Sequence, residues 1–139
     1  MRVEFCDTNV IVYAYDSTAG VKHDRAQALL ERLWLDGKGV LSVQVLQELF
    51  VTLTRKVARP VDPGEARAIV ADLATWSLVQ PAASDVLAAI DATIRWQLSF
   101  WDAMILTAAQ RAGAAVLWSE DFSDGQRFDA VTVRNPFAA

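Results

Sequence analysis

The apolar residues of the chain change rhythm along its length, from short β-prone runs to helical spacings and back. Val3 to Cys6 predicts a strand that ends at Asp7, and the apolar stretch Asn9 to Tyr15 predicts the start of a helix. From His23 to Leu35, residues Ala26, Leu29, Leu30, Leu33 and Trp34 recur at helical spacing, and Gly37 follows as a stop. Gly39 to Ser42 predicts a second strand. Val43 to Lys56 then predicts a helix with Leu46, Leu49, Phe50 and Leu53 on one face, and Ser42 is placed to cap it. The turn-rich segment RPVDPG, Arg59 to Gly64, breaks that helix from the next, Pro63 to Thr75, where proline suits the first turn. Leu78 to Gln80 predicts a strand, and Ser84 to Trp96 a helix carrying Val86, Leu87, Ile90 and Ile94. Phe100 to Arg111 predicts a helix stopped by Gly113, and Ala115 to Ser119 and Val131 to Val133 predict the last strands.

Strands thus alternate with helices or helix pairs. This order predicts an α/β fold with a mainly parallel sheet covered on both faces. No repeat, low-complexity segment or linker interrupts the 139 residues, so a single domain over 1–139 is expected.

Composition sharpens this picture. The apolar fraction of 53% argues against disorder and leaves apolar surface for self-association or a protein partner. The single cysteine, Cys6, excludes an internal disulfide and fits a reducing compartment. The opening residues MRVEFCDTN lack the apolar core of a secretory signal, and no apolar run nears the roughly 20 residues of a membrane span. A cytoplasmic location without a membrane partner is the expectation. The formal net charge of -4 speaks against nucleic-acid binding by bulk charge, unless several carboxylates are sequestered on cations.

Four acids make that exception worth pursuing. In parallel sheets, sites form beyond the carboxyl ends of the strands. Asp7 follows the first strand and Asp121 the strand Ala115 to Ser119, so parallel neighbours would deliver both to one edge. Glu48 lies two turns into its helix and Asp102 in the first turn of another. Gathered carboxylates repel, so they take up protons or are neutralised by a cation. Oxygen ligands suit a hard ion such as Mg²⁺, with Mn²⁺ as a substitute, while His23 and Cys6 give no convincing soft site for zinc. Each acid also has an ordinary role open to it. Asp7 can cap a turn, Asp102 can form a variant capping box with Ser99, Glu48 can be solvated, and Asp121 can belong to the turn-rich SEDFSDG. Spacing alone leaves both readings standing.

At these residues the chain resembles the PIN-domain proteins, and among them the VapC toxins of bacterial toxin–antitoxin pairs. The resemblance runs through FCDTNVIVYAYD at Asp7, SVQVLQELFVTLTRK at Glu48, SFWDAMILTAAQRAG at Asp102 and LWSEDFSDGQRF at Asp121, and so covers essentially the whole chain. It implies a three-layer fold, a metal site built from acids, Mg²⁺-dependent endoribonuclease activity, a cognate antitoxin and a homodimer. Residue by residue it implies that Asp7, Glu48 and Asp102 hold the principal ion, with Asp121 supporting a second ion or a water. Asn9 and Ser119 match polar positions that orient carboxylates or water. Asp124 is either an outer acid of the site or part of the turn before Gly125.

Two competing readings are a fold-sharing interaction module without activity and a small phosphatase. Asp7-Thr8-Asn9-Val10 resembles the D-x-D motif of haloacid-dehalogenase-type phosphatases, but Asn9 replaces the second acid. For RNA phosphates the basic candidates are Arg25, Arg32, Lys38, Arg55, Lys56, Arg59, Arg95 and Arg127, with Arg127 nearest the Asp121 loop. Trp101 is placed either to stack a base or to pack, and Trp34, Trp76, Trp96 and Trp118 are expected to pack. His23 is expected at the surface or in a cap. For the antitoxin, the apolar helices near Tyr13, Leu46, Phe50 and Arg25 to Trp34 are candidates.

Overall fold

A computed structural model describes residues 2–138. Among the described residues the chain runs β1 (Glu4–Cys6), α1 (Thr8–Tyr15), α2 (Val21–Asp36), β2 (Gly39–Ser42), α3 (Val43–Arg55), α4 (Pro63–Leu73), β3 (Ser77–Val79), α5 (Ala83–Trp96), α6 (Phe100–Arg111), β4 (Val116–Trp118), β5 (Arg127–Phe128) and β6 (Val131–Arg134). One sheet orders these strands β3-β2-β1-β4-β6-β5, all parallel except β5 against β6. Local signals set most helix ends. The side chains of Ser42, Asp62 and Ser99 accept from the first-turn amides of α3, α4 and α6. Gly37, at a φ of 69°, adopts the left-handed conformation that ends α2.

The order of strands fixes where a site can form. The chain steps from β1 outward to β2 and β3, then returns across the sheet to β4 on the other side of β1. Right-handed crossovers therefore place α1–α4 on one face and α5–α6 on the other. The direction reverses between β1 and β4, whose registers pair Glu4 with Val116 and Cys6 with Trp118. Their carboxyl ends open a crevice there.

The strands of the core are buried on both faces. Phe5, Cys6, Leu41 and Leu117 are fully inaccessible and pack with Ile11, Leu33, Leu49, Leu53 and Leu106 from the helices. Each such side chain contributes about 1.5–3 kcal/mol by leaving water. Cys6 is a free thiol inside this core, and burial pushes its pKa up.

Several expectations need correction. On α3 the buried line is Val45, Leu49 and Leu53 with Gln44, whereas Phe50 is exposed and Leu46 only partly buried. Residues at i, i+4, i+8 keep to one side of a helix, and Phe50 falls about 100° off that line. Trp34 packs as expected, meeting Trp76 edge-on at 5.3 Å, but does so while exposed at the surface. On α5 the inward positions belong to Ala89 and Ala92, and Val86, Leu87, Ile90 and Ile94 face out. The two-residue β5 and a 3-10 turn at Ser17–Ala19 escape periodicity because they are shorter than one repeat. Among the described residues no helix is long and apolar enough to cross a membrane.

Gly39 has a steric reason to be glycine. A Cβ there would overlap three ring carbons of Trp76, which crosses the start of β2. We expect Gly39→Ala to destabilise the fold by about 1–3 kcal/mol in urea unfolding. Trp76→Leu in the same chain should recover part of the loss; equal stability of Gly39→Ala and the parent would contradict this packing.

Candidate functional site

Asp7 leaves the end of β1 and caps α1. Its backbone N–H donates to the carbonyl of Trp118 at 2.9 Å, so the β1–β4 pairing continues up to the site. The residue is 4% exposed, an unusual depth for an aspartate. Oδ1 accepts from the Thr8 amide at 2.7 Å and Oδ2 from Ser119 Oγ at 2.7 Å. Burial pushes the Asp7 carboxyl up to about 7, against the lowering effect of those two donors, and the charges of Asp121 and Glu48 add to the rise.

Three polar residues tie Asp121 and Glu48 to this centre. Ser119, wholly buried, donates to Asp7 while its Oγ accepts from the Asp121 amide at 3.0 Å. Asn9 Nδ2 donates to Asp121 Oδ2 at 2.9 Å and reaches Asp7 Oδ2 at 3.3 Å, so it bridges two strand ends. Thr8 Oγ1 donates to Glu48 Oε1 at 2.7 Å, joining α1 to α3. Nothing in the chain order reveals this contact across 40 positions. Asp102 sits in the first turn of α6, where its amide donates to Ser99 Oγ at 3.2 Å. Burial, with the charges of Asp121 and Glu48, raises its pKa. Asp7 thus caps its own helix, whereas at Asp102 the cap is Ser99 and the expected reciprocal bond from the Ser99 amide to the Asp102 carboxylate is not formed.

Asp7, Glu48, Asp102 and Asp121 all line one open cavity of about 610 Å³. Its other walls include Asn9, Tyr13, Gln47, Val51, Lys56, Trp101 and Ile105. Asp124 lies elsewhere: its Oδ1 accepts from the Asn135 amide at 2.9 Å, and it does not line the cavity. Arg127 is on β5 at the sheet margin, also outside the cavity walls. Arg32 is held bidentately by Glu4, and Arg95 lies over Trp96 and near Asp129. Lys56, at the end of α3, is instead the cation on the cavity wall.

The loop carrying Asp121 is clasped from outside. Glu120 accepts from Tyr13 Oη at 2.7 Å and pairs with Lys22 at 2.8 Å. Sequence gave no sign of this clasp, since its partners come from α1 and α2, about 100 residues away. His23 Nδ1 lies 2.9 Å from the Tyr13 carbonyl, close to the end of α1.

The donor set fits a hard divalent cation in one respect above all. Among the described residues, none of the ion pairs involves the four acids, so their charges lack a cationic partner. As the side chains stand, no three acidic, histidine or cysteine groups among the described residues close on a common point. Carboxylate oxygens are the donors that a hard divalent cation such as Mg²⁺ takes, one or two directly with water completing its shell.

Comparison with known proteins places this geometry. The sequence pattern of the PIN domain matches residues 5–130, and the chain belongs to the PIN domain family. Comparison with curated proteins gives no match. Among solved structures, the fold is similar to Mycobacterium tuberculosis VapC20, a sarcin-ricin loop cleaving toxin. The TM-score is 0.62 at 19% identity, over 82% of this chain and 86% of that one. A toxin–antitoxin complex from Klebsiella pneumoniae matches with a TM-score of 0.72 at 17% identity, over 98% and 99% of the two chains. DNA-bound VapBC from Salmonella typhimurium matches with 0.67 at 16% identity, over 98% and 99%. The mainly parallel three-layer fold expected from the sequence is the one observed.

The buried carboxylate has a consequence for stability. With a folded pKa of about 7 against an ordinary 3.8, Asp7 keeps a proton in the folded state that the unfolded chain has lost. Metal-free stability should therefore fall as pH rises from about 4 to about 7, with Asp102 contributing in the same direction. In EDTA at pH 8, Asp7→Asn should be more stable than the parent by on the order of a few kcal/mol and flatten the pH slope. Urea unfolding at pH 5 and pH 8 decides it; a variant less stable at pH 8 than the parent would contradict the account.

Proposed function

We propose that this chain is a metal-dependent endoribonuclease of the VapC type, the toxin of a toxin–antitoxin pair, using Mg²⁺ or Mn²⁺. The observation that carries the reading is the convergence of Asp7, Glu48, Asp102 and Asp121 on one cavity at the β1–β4 switch point of a PIN-domain fold. Asp7, Glu48 and Asp102 would hold the principal ion. Asp121 would support a second ion or a water, with Asn9 and Ser119 orienting it. A divalent ion there supplies Lewis acidity at a phosphodiester and lowers the pKa of a bound water.

The chain's own residues do the positioning. Ser119 and the Thr8 amide fix both oxygens of Asp7, so its orientation is set before any ligand arrives. Thr8 holds Glu48 toward the same wall. Lys56 offers an ammonium to a backbone phosphate entering the cavity, which offsets the repulsion that a net acidic protein presents to RNA.

The antitoxin partner is supported by the toxin–antitoxin complexes that share the fold. A homodimer is supported by the outward apolar side chains of α5, which would otherwise remain in water. The phosphatase reading fares worse, because Asn9 stands where the D-x-D motif needs its second acid.

Purified protein is expected to cut RNA with Mg²⁺ or Mn²⁺ and to stop in EDTA. Asp7→Asn and Asp102→Asn should each lower the rate at least about a hundredfold while circular dichroism stays unchanged. Undiminished cleavage in EDTA would sink the proposal. Turnover of p-nitrophenyl phosphate without RNA cleavage would favour the phosphatase, and no binding of Mn²⁺ at millimolar concentration would favour an inactive interaction module.

A further inference from the structure

Trp101 is 62% exposed at the start of α6, one position from Asp102. It lines the acidic cavity and also a second one of about 460 Å³, whose other walls include Gln44, Gln47, Gln80, Pro81 and Met104. Gln47 likewise belongs to both cavities, so Trp101 and Gln47 form their common wall. The Phe100 ring meets the indole edge-on at 5.0 Å, and the Trp101 carbonyl accepts from Gln44 Nε2 at 3.3 Å. The second contact ties the start of α6 to α3.

The two cavities differ in chemistry. The first carries carboxylates and Lys56, and suits a phosphate brought in with a cation. The polar groups named on the second are neutral glutamine amides beside an aromatic face. An amide presents a donor and an acceptor together, as the edge of a nucleobase does, and an indole face stacks any base. From Gln44 to Lys56, α3 runs about 18 Å along both cavities, which makes one trough of them.

We infer that the cavity beside Trp101 takes the nucleobase next to the scissile phosphate and sets the nucleotide preference of cleavage. This rests on the reading of the acidic cavity as the site of phosphodiester cleavage. Trp101 supplies the stacking face. Gln80, which lines the second cavity and not the first, reads the base edge together with Gln47.

The test compares Trp101→Leu, Trp101→Phe and Gln80→Ala with the parent on a randomised RNA pool in Mg²⁺, sequencing the product 5′ ends. Trp101→Leu should lower kcat/KM roughly ten- to a hundredfold, and Trp101→Phe, which keeps a stacking face, should stay within a few-fold. Gln80→Ala should change the base preferred beside the cut, and an unchanged preference would overturn the assignment of Gln80. A six-nucleotide RNA added in EDTA should shift the indole Nε1–H resonance of Trp101, assigned by its absence in Trp101→Phe. Cleavage by Trp101→Leu with parental rate and pattern would overturn the inference alone. So would equal losses in the Leu and Phe variants with an unchanged pattern, or a Trp101→Leu protein whose defect is a changed oligomeric state by sedimentation. A parent that cuts no RNA with either metal would overturn the catalytic reading, and this inference with it.

Discussion

A carboxylate buried at the end of the central strand is the constraint around which the site is organised. Water would solvate an Asp7 anion far better than this pocket does, and the raised pKa is the sign of that cost. The fold offsets part of it with two short hydrogen bonds, from the Thr8 amide and from Ser119 Oγ. Ser119 can serve only because β4 runs parallel beside β1 in a register that delivers both strand ends together. The reversal of strand order at this pair of strands, the capping of α1 and the acidic cavity are thus one arrangement seen at three scales.

Thr8, Asn9 and Ser119 fix the carboxylates of Asp7, Glu48 and Asp121 by hydrogen bonds. Burial and the neighbouring like charges still raise the pKa of Asp7 and Asp102. Buried charge without a cationic partner costs stability, a trade between stability and chemistry common at such sites. Outside the cavity, Tyr13 and Lys22 restrain the Asp121 loop through Glu120.

α3 links this centre to its surroundings. Its buried line of Val45, Leu49 and Leu53 packs into the core, while Gln47, Glu48, Val51 and Lys56 face the cavity. Helical spacing thus sorts one segment into a structural side and a chemical side. α6 does the same in a single turn, where Trp101 and Asp102 look outward and Ala103 and Met104 are buried.

The alternation of strands and helices, the caps at Ser42 and Ser99 and the stop at Gly37 were legible in the chain, because they depend on neighbours within a few positions. So were the four acids as a set, through motif order and their places at strand and helix ends. Tertiary structure decided the rest. Contacts such as Thr8 to Glu48, Asn9 to Asp121 and Tyr13 to Glu120 join residues 40 to 112 positions apart, and no local pattern encodes them. It set Asp124 and Arg127 apart from the cavity and brought Lys56 and Gln47 to it. It also turned the large residues of α5 outward, since periodicity shows that a helix has an apolar stripe but not which stripe finds a partner. The sequence by itself determined which groups could do chemistry. Only the pairing of β1 with β4 decided which would meet, because strand order is set by the packing of the whole sheet.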